Sequence, residues 1–327
     1  MRRLAFLLIV VLGLAPGLYW REAPPPPNDA QVVYAKRIAA GGRIGGPAGP
    51  VVEGVWHLTS PNDKFDSWSA LLALEDGSLL ALSDRGNYLR LPHPPGGAAA
   101  IGELFPHLGN DKPAQDVESA TRDPGSGTIW LGLEGRNAIF RMDAGLHLRA
   151  SVSPPQMRNW PVNGGPESLL RLHDGRFLVL SEDPVPTNGR ASMGLLFPSD
   201  PVGGSRPQTF GFTPPAGLYP SDMTQLPDGR VLVLARGVHL LPPHFSVSIL
   251  LADPAAIRPG REWPWQLVAR IDGRAVPYEN YEGIAVTGGA DGGPVTIWLI
   301  CDDNQSLLLQ RTLLAKLRWQ PPPRPKA

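Results

Sequence analysis

Carboxylates recur at both ends of a repeated strand-like phrase in this 327-residue chain. Asp116, Glu118, Glu167, Asp222, Glu279 and Glu282 stand where an apolar run begins, and Asp84, Glu134, Glu182, Asp183, Asp302 and Asp303 stand where the next apolar run ends. Oxygens of this kind, without His or Cys partners, form a hard donor set suited to Ca²⁺, less to Mg²⁺, and poorly to zinc. Glu118, Glu167, Asp222, Glu282 and Asp302 are the candidate ligands. Such an ion activates water and polarises an ester or phosphoester oxygen, which leaves Asp303 or Glu182 as the candidate general base. Arg85, Arg136 and Arg236 occupy equivalent places at the run ends and, with Asn163, are candidates for holding an anionic substrate. Asn280 and Asn304 offer neutral oxygens, although Asn is also an ordinary turn residue. The competing explanation is local: strand-end Asp and Glu can bond turn amides or pair with the same arginines.

Only a repeat brings these positions together. Five copies of one phrase are visible: WSALLALEDGSLLALSDRG from Trp68, VESATRDPGSGTIWLGLEGR from Val117, PESLLRLHDGRFLVLSED from Pro166, PSDMTQLPDGRVLVLAR from Pro220 and YEGIAVTGGADGGPVTIWLICDDN from Tyr281. With Ser69, Glu118, Glu167, Asp222 and Glu282 as equivalent marks, the spacings are about 49, 49, 55 and 60 residues, in or just above the period of propeller blades. Each copy alternates apolar and other residues and turns on a dipeptide such as Asp76-Gly77, Asp174-Gly175 or Asp228-Gly229, which predicts strand hairpins. The expected fold is an all-β propeller with five countable blades, the terminal segments leaving room for a sixth. Residues 51–60 are expected to complete the blade formed by residues 307–319. Trp130, Trp298, Phe177 and Leu232 suit packing between blades. In an antiparallel hairpin the start of the first strand and the end of the second share one end, so the carboxylates gather on one face of the disc. Crowded there, they repel one another, and a cation relieves the repulsion.

Thirty basic and thirty acidic residues, with only five lysines, give no electrostatic case for nucleic acid. The single cysteine, Cys301, excludes an internal disulfide and sits in an apolar strand. Arg2-Arg3 followed by an apolar run from Leu4 to about Leu18 makes residues 1–20 either a cleaved export signal or a retained signal anchor. The body is therefore expected outside the cytoplasmic membrane, in a periplasm or secreted, with any membrane tether confined to that segment. Residues 21–50 form a Pro/Gly-rich lead-in, 51–320 the propeller, and 321–327 a tail. A monomer is expected.

The chain has no G-x-S-x-G elbow, H-E-x-x-H pair, C-x-x-C pair or Walker loop. Its seven histidines are scattered, with His173 in a hairpin turn, His93, His239 and His244 near prolines, and His57 in a strand. The phrases SALLALEDGSLLALSDRGNYLRL, NGGPESLLRLHDGRFLVLSED and ENYEGIAV followed by WLICDDNQSLLLQRTLLAKLRW resemble the bacterial family described as having esterase-like activity of phytase. The most specific part is carried by Asn280, Glu282, Gly283, Asp302, Asp303, Asn304, Gln310 and Thr312. The resemblance covers about Val51 to Trp319 and implies a secreted propeller hydrolysing phosphoesters or carboxylesters. A phytate pocket should be strongly basic, whereas the face predicted here is mainly acidic, so bound cations would have to invert its sign. Two functions stay open: a metal-dependent hydrolase of a small ester or phosphoester, and a noncatalytic propeller that binds a ligand or protein and uses calcium only as a structural ion.

Overall fold

Five antiparallel sheets built from the five sequence repeats surround one axis. A computed structural model describes residues 27–106, 115–161, 164–184, 192–241, 243–304 and 310–324. The export segment expected at 1–20 and the end of the tail lie outside the described residues. No helix among the described residues is long and apolar enough to cross a membrane.

The first blade contains β3 (Trp68–Ala73), β4 (Leu79–Ser83), β5 (Asn87–Leu91) and β7 (Ala100–Glu103). The second contains β8 (Val117–Arg122), β9 (Ile129–Leu133), β10 (Ala138–Met142) and β11 (Leu148–Val152). β12 (Pro166–Arg171), β13 (Phe177–Pro184), β14 (Ser192–Phe197) and β15 (Gln208–Phe212) form the third. β16 (Tyr219–Gln225), β17 (Val231–Leu240), β18 (Pro243–Ala252) and β19 (Trp265–Ile271) form the fourth. The fifth joins β20 (Tyr281–Gly288), β21 (Val295–Cys301) and β22 (Leu313–Trp319) to β2 (Val51–Thr59) and β1 (Val32–Ala39), with the two-residue β6 (Gly97–Ala98) at its edge.

The terminal strands thus close the ring within the fifth blade and form no sixth. β2 pairs antiparallel with β22 from Val51↔Arg318 to His57↔Leu313, as the sequence predicts for residues 51–60, while residues 307–309 of the expected partner lie outside the described ones. Neighbouring blades bury apolar faces against each other, which is how a sheet with two apolar faces becomes stable. Trp130 of β9 meets Phe177 of β13 edge to face at 4.9 Å, joining the second and third blades. Leu232, Leu234, Ile284, Ile297 and Leu299 share the core between the fourth and fifth. Cys301 is fully buried in that core.

At the far end of the disc the Asp-Gly turns form as expected. Gly77, Gly175 and Gly229 have φ near +81°, +87° and +88°, and Asp76, Asp174 and Asp228 accept the N–H two residues on. The other end carries the carboxylates.

Candidate metal centre

One backbone irregularity, repeated five times, aims the central side chains. In every innermost strand the ladder skips one residue: Trp68↔Ser83 is followed by Ala70↔Leu82, Val117↔Leu133 by Ser119↔Gly132, Pro166↔Ser181 by Ser168↔Leu180, Pro220↔Ala235 by Asp222↔Leu234, and Tyr281↔Cys301 by Gly283↔Ile300. The skipped residues are Ser69, Glu118, Glu167, Ser221 and Glu282. A bulged residue leaves the pleat and turns its side chain away from the sheet, so these five form one layer of the site. Ser221, not Asp222, is therefore the fourth equivalent mark. Asp222 stands one position later, level with Ala70, Ser119, Ser168 and Gly283.

A second layer comes from the residue one past the ladder partner of the residue before each bulge: that partner is Ser83, Leu133, Ser181, Ala235 or Cys301. Asp84, Glu134, Glu182 and Asp302 each donate their N–H to the carbonyl of Ser67, Asp116, Gly165 and Asn280, respectively, at 3.2, 3.0, 3.3 and 2.9 Å. In the fourth blade the equivalent residue is Arg236, opposite Tyr219. Asp116, just ahead of the second repeat, completes the set.

These groups converge. Carboxylate oxygens of Asp84, Asp116 and Glu118 lie within 4.8 Å of one another, as do those of Glu134, Glu167 and Glu182. Arg236 Nη2 lies 2.9 Å from Glu282 Oε1 and 3.5 Å from Glu182 Oε1, so its guanidinium joins the third and fifth blades. Asn280 Nδ2 donates to Glu282 Oε1 at 2.8 Å and to Asp302 Oδ2 at 3.3 Å, and Asn304 N–H donates to Asp302 Oδ1 at 2.7 Å.

Electrostatics follow from this crowding in little water. Burial, then the charges of Glu282, Glu134, Asp116 and Asp84, push Glu118 well above the ordinary carboxylate range. Burial and Glu118, Glu182 and Glu134 raise Glu167, and Arg236 opposes them. Glu134 is pushed up to about 7, chiefly by burial, and Asp302 to about 8 by burial and then Glu282. Glu282 is also raised by burial, with Arg236 as the main opposing charge. Burial alone would weaken Arg236 as a cation, but Glu282, Glu182, Glu167 and Glu118 carry its pKa above the ordinary guanidinium value.

The sequence-predicted residues divide accordingly. Glu118, Glu167, Glu282 and Asp302, proposed as ligands, meet in the centre, and Glu182, proposed as a base, lies among them. Asp222 does not join the clusters: its Oδ1 accepts Met223 N–H and its Oδ2 accepts Ile284 N–H, both at 2.8 Å. Its carboxylate thus ties the fourth innermost strand to the fifth. Asp303 is likewise occupied, accepting Ser67 N–H at 3.3 Å and Thr312 Oγ1–H at 2.7 Å. Of the three arginines, Arg236 is brought to the ring. Arg85 is exposed and 3.7 Å from Asp66, and Arg136 is exposed. Asn163 lies outside the described residues. Asp84, Asp116 and Glu134 complete the two clusters; their place at repeat ends is legible in the sequence, but that alone gave them no role.

The donor set fits a hard divalent cation. Among the described residues it contains carboxylates without sulfur or imidazole, and Asn280 Oδ1, on a residue 2% exposed beside Glu282 and Asp302, has no hydrogen-bond partner among them. A buried carbonyl oxygen left without a donor is costly, and coordination would satisfy it.

The family model described as phytase-like, esterase-like activity of phytase, matches residues 63–305. The chain belongs to this phytase-like family. The match spans all five innermost strands and every carboxylate of the two clusters. No match was found among curated proteins. Among solved structures, the α-L-arabinofuranosidase PaAbf62A from Podospora anserina, determined in complex with cellotriose, aligns with TM-score 0.51 and 12% identity over 90% of this chain and 99% of that one. A hypothetical protein from Leishmania major aligns with TM-score 0.44 and 12% identity over 79% and 87%. At 12% identity the first likeness speaks to the fold alone, and the phytase-like assignment rests on the family match.

Proposed function

We propose that this phytase-like propeller is an exported, metal-dependent hydrolase of a small ester or phosphoester, with the divalent cation held at the axial carboxylates. The carrying observation is the convergence of Asp84, Asp116, Glu118, Glu134, Glu167, Glu182, Glu282 and Asp302 with the buried guanidinium of Arg236. So many carboxylates in a partly dry centre require protons or cations, and at neutral pH Ca²⁺ is the natural counter-charge.

Asp84, Asp116 and Glu118 would hold a cation on one side, and Glu134, Glu167 and Glu182 on the other, with Asn280 Oδ1 as a neutral donor near Glu282 and Asp302. When bound, the cation supplies Lewis acidity that makes water more acidic and polarises an ester oxygen. Glu134, pushed up to about 7 in the metal-free ring, would be held ionised beside the bound cation. Arg236 is held by Glu282 and Glu182 through Nη2, while its Nε has no acceptor among the described residues. That N–H is placed to bind an anionic substrate oxygen or charge developing on one. Export rests on residues 1–20.

The test is calorimetric titration of Ca²⁺ into chelator-treated protein, with carboxylester and phosphoester panels run before and after. Binding that switches on turnover is the expected result. Binding that raises only the melting temperature would make the ion structural and the propeller noncatalytic, and absence of binding would remove the site assignment.

A further inference from the structure

Ser67, the residue before β3, enters the first blade with a backbone held from outside that blade. It is buried, and its φ is +55°, in the left-handed region that a residue with a Cβ avoids unless its surroundings enforce it. Asp303, two residues past β21, supplies the enforcement across the seam between the fifth and first blades: its Oδ1 accepts Ser67 N–H at 3.3 Å. Asp303 is held in turn, because its Oδ2 accepts the Thr312 hydroxyl at 2.7 Å and the Thr312 carbonyl accepts Leu58 N–H of β2 at 2.9 Å. One chain of bonds therefore runs from the closing strand, through a carboxylate of the fifth blade, to the start of the first.

What Ser67 holds is a ring carboxylate. Its carbonyl accepts Asp84 N–H at 3.2 Å, and oxygens of Asp84, Asp116 and Glu118 lie within 4.8 Å of one another. In the second and fifth blades the equivalent acceptors are the carbonyls of Asp116 and Asn280, residues that themselves stand at the site. In the first blade the acceptor is a serine whose conformation depends on a neighbouring blade. If Ser67 relaxed to a negative φ, its carbonyl would be re-aimed relative to its N–H, and the Asp84 N–H would lose its acceptor or follow it. Both Asp303 oxygens accept protein hydrogen bonds, which suits a fixed support better than a base that must take a proton from water.

We propose that Asp303 is a positioning residue for the cation site: by holding Ser67 in the left-handed conformation across the seam, it sets where Asp84 stands relative to Asp116 and Glu118. This role rests on the reading of those three carboxylates as cation ligands. Asp303 itself touches neither the cation nor the substrate.

Calorimetric Ca²⁺ titration of three variants of the full chain, with amide hydrogen exchange at Ser67 and Asp84, tests the role. D303A should weaken Ca²⁺ binding about tenfold, whereas D303N, which keeps an acceptor oxygen for Ser67 N–H, should stay within about twofold of the unaltered protein. S67G in the D303A background should recover most of the loss, because glycine adopts a positive φ without support. A D303A protein that melts lower but binds Ca²⁺ as before would make Asp303 a stabilising clasp only, and a D303N protein that binds Ca²⁺ but loses turnover would make it a general base; either result overturns the proposal, as does a loss that S67G leaves unrelieved. In chelator-treated protein D303A should speed exchange at the Ser67 and Asp84 amides about tenfold while the amides of β17 keep their rates, and unchanged exchange at both overturns the hold on Asp84. Absence of Ca²⁺ binding in the unaltered protein removes the cation reading itself, and the exchange arm, which needs no metal, tells that failure from a failure of the positioning.

Discussion

Asp222 and Glu167 are both buried carboxylates, yet replacing them should have opposite effects. Asp222 accepts two backbone N–H groups, one from the neighbouring blade. Asp222→Ala leaves both donors without acceptors and should cost about 3 kcal/mol of stability, with Ca²⁺ affinity little changed. Glu167 sits 4% exposed between Glu134 and Glu182, with Arg236 as its counter-charge. Glu167→Gln removes repulsion from the metal-free ring, so the apoprotein should melt higher while Ca²⁺ affinity falls at least about tenfold. Chemical denaturation and calorimetry on the two variants check this pair of outcomes; equal loss of affinity in both would place Asp222 back among the ligands.

β2 is the element on which closure depends. It lies between β22 and β1, with Val55 pairing to Ala315 on one side and Ala39 on the other, and Val55 is fully buried. Val55→Pro removes a ladder donor from an interior strand and should cost about 3 kcal/mol or more, read as a fall in melting temperature of roughly 5 °C or more and faster proteolysis between the first and fifth blades. This closure was legible in the sequence because alternation in residues 51–60 matches that of residues 313–319. The five hairpins were legible for the same reason. The register of the fourth repeat was not. Aligning on carboxylates put Asp222 beside Glu167, whereas aligning Pro220-Ser221 on Pro166-Glu167 would have put Ser221 there, as the bulges do. A bulge changes which way one side chain points without altering the apolar pattern around it. The arginines show the same limit: Arg236 is the exit residue itself, while Arg85 and Arg136 stand one and two residues past the exit carboxylates Asp84 and Glu134.

Across the whole molecule the formal charge is zero, yet its distribution is not even: the axis is strongly acidic, and the balancing arginines lie mostly elsewhere. Local field, not net charge, governs what enters such a centre, so cations are drawn to it in a chain of no overall charge. The same imbalance sets how stability responds to pH. Glu118, Glu134, Glu167, Glu282 and Asp302 all have pKa values raised in the folded state, Glu134 to about 7 and Asp302 to about 8. Between the unfolded carboxylate range near pH 4 and these higher values, the folded protein binds more protons than the unfolded chain, so unfolding becomes easier as pH rises. The stabilisation these groups give the metal-free protein should therefore be complete at about pH 4 and below and fall away as pH rises, with a loss of several degrees of melting temperature by pH 8. Ca²⁺ replaces the missing protons, so its stabilisation should be small at pH 5 and large at pH 8. Melting curves at the two pH values, with Ca²⁺ and with chelator, read this directly. A metal-free protein whose melting temperature holds constant or climbs from pH 5 to 8 would mean that the carboxylates are not crowded at the axis.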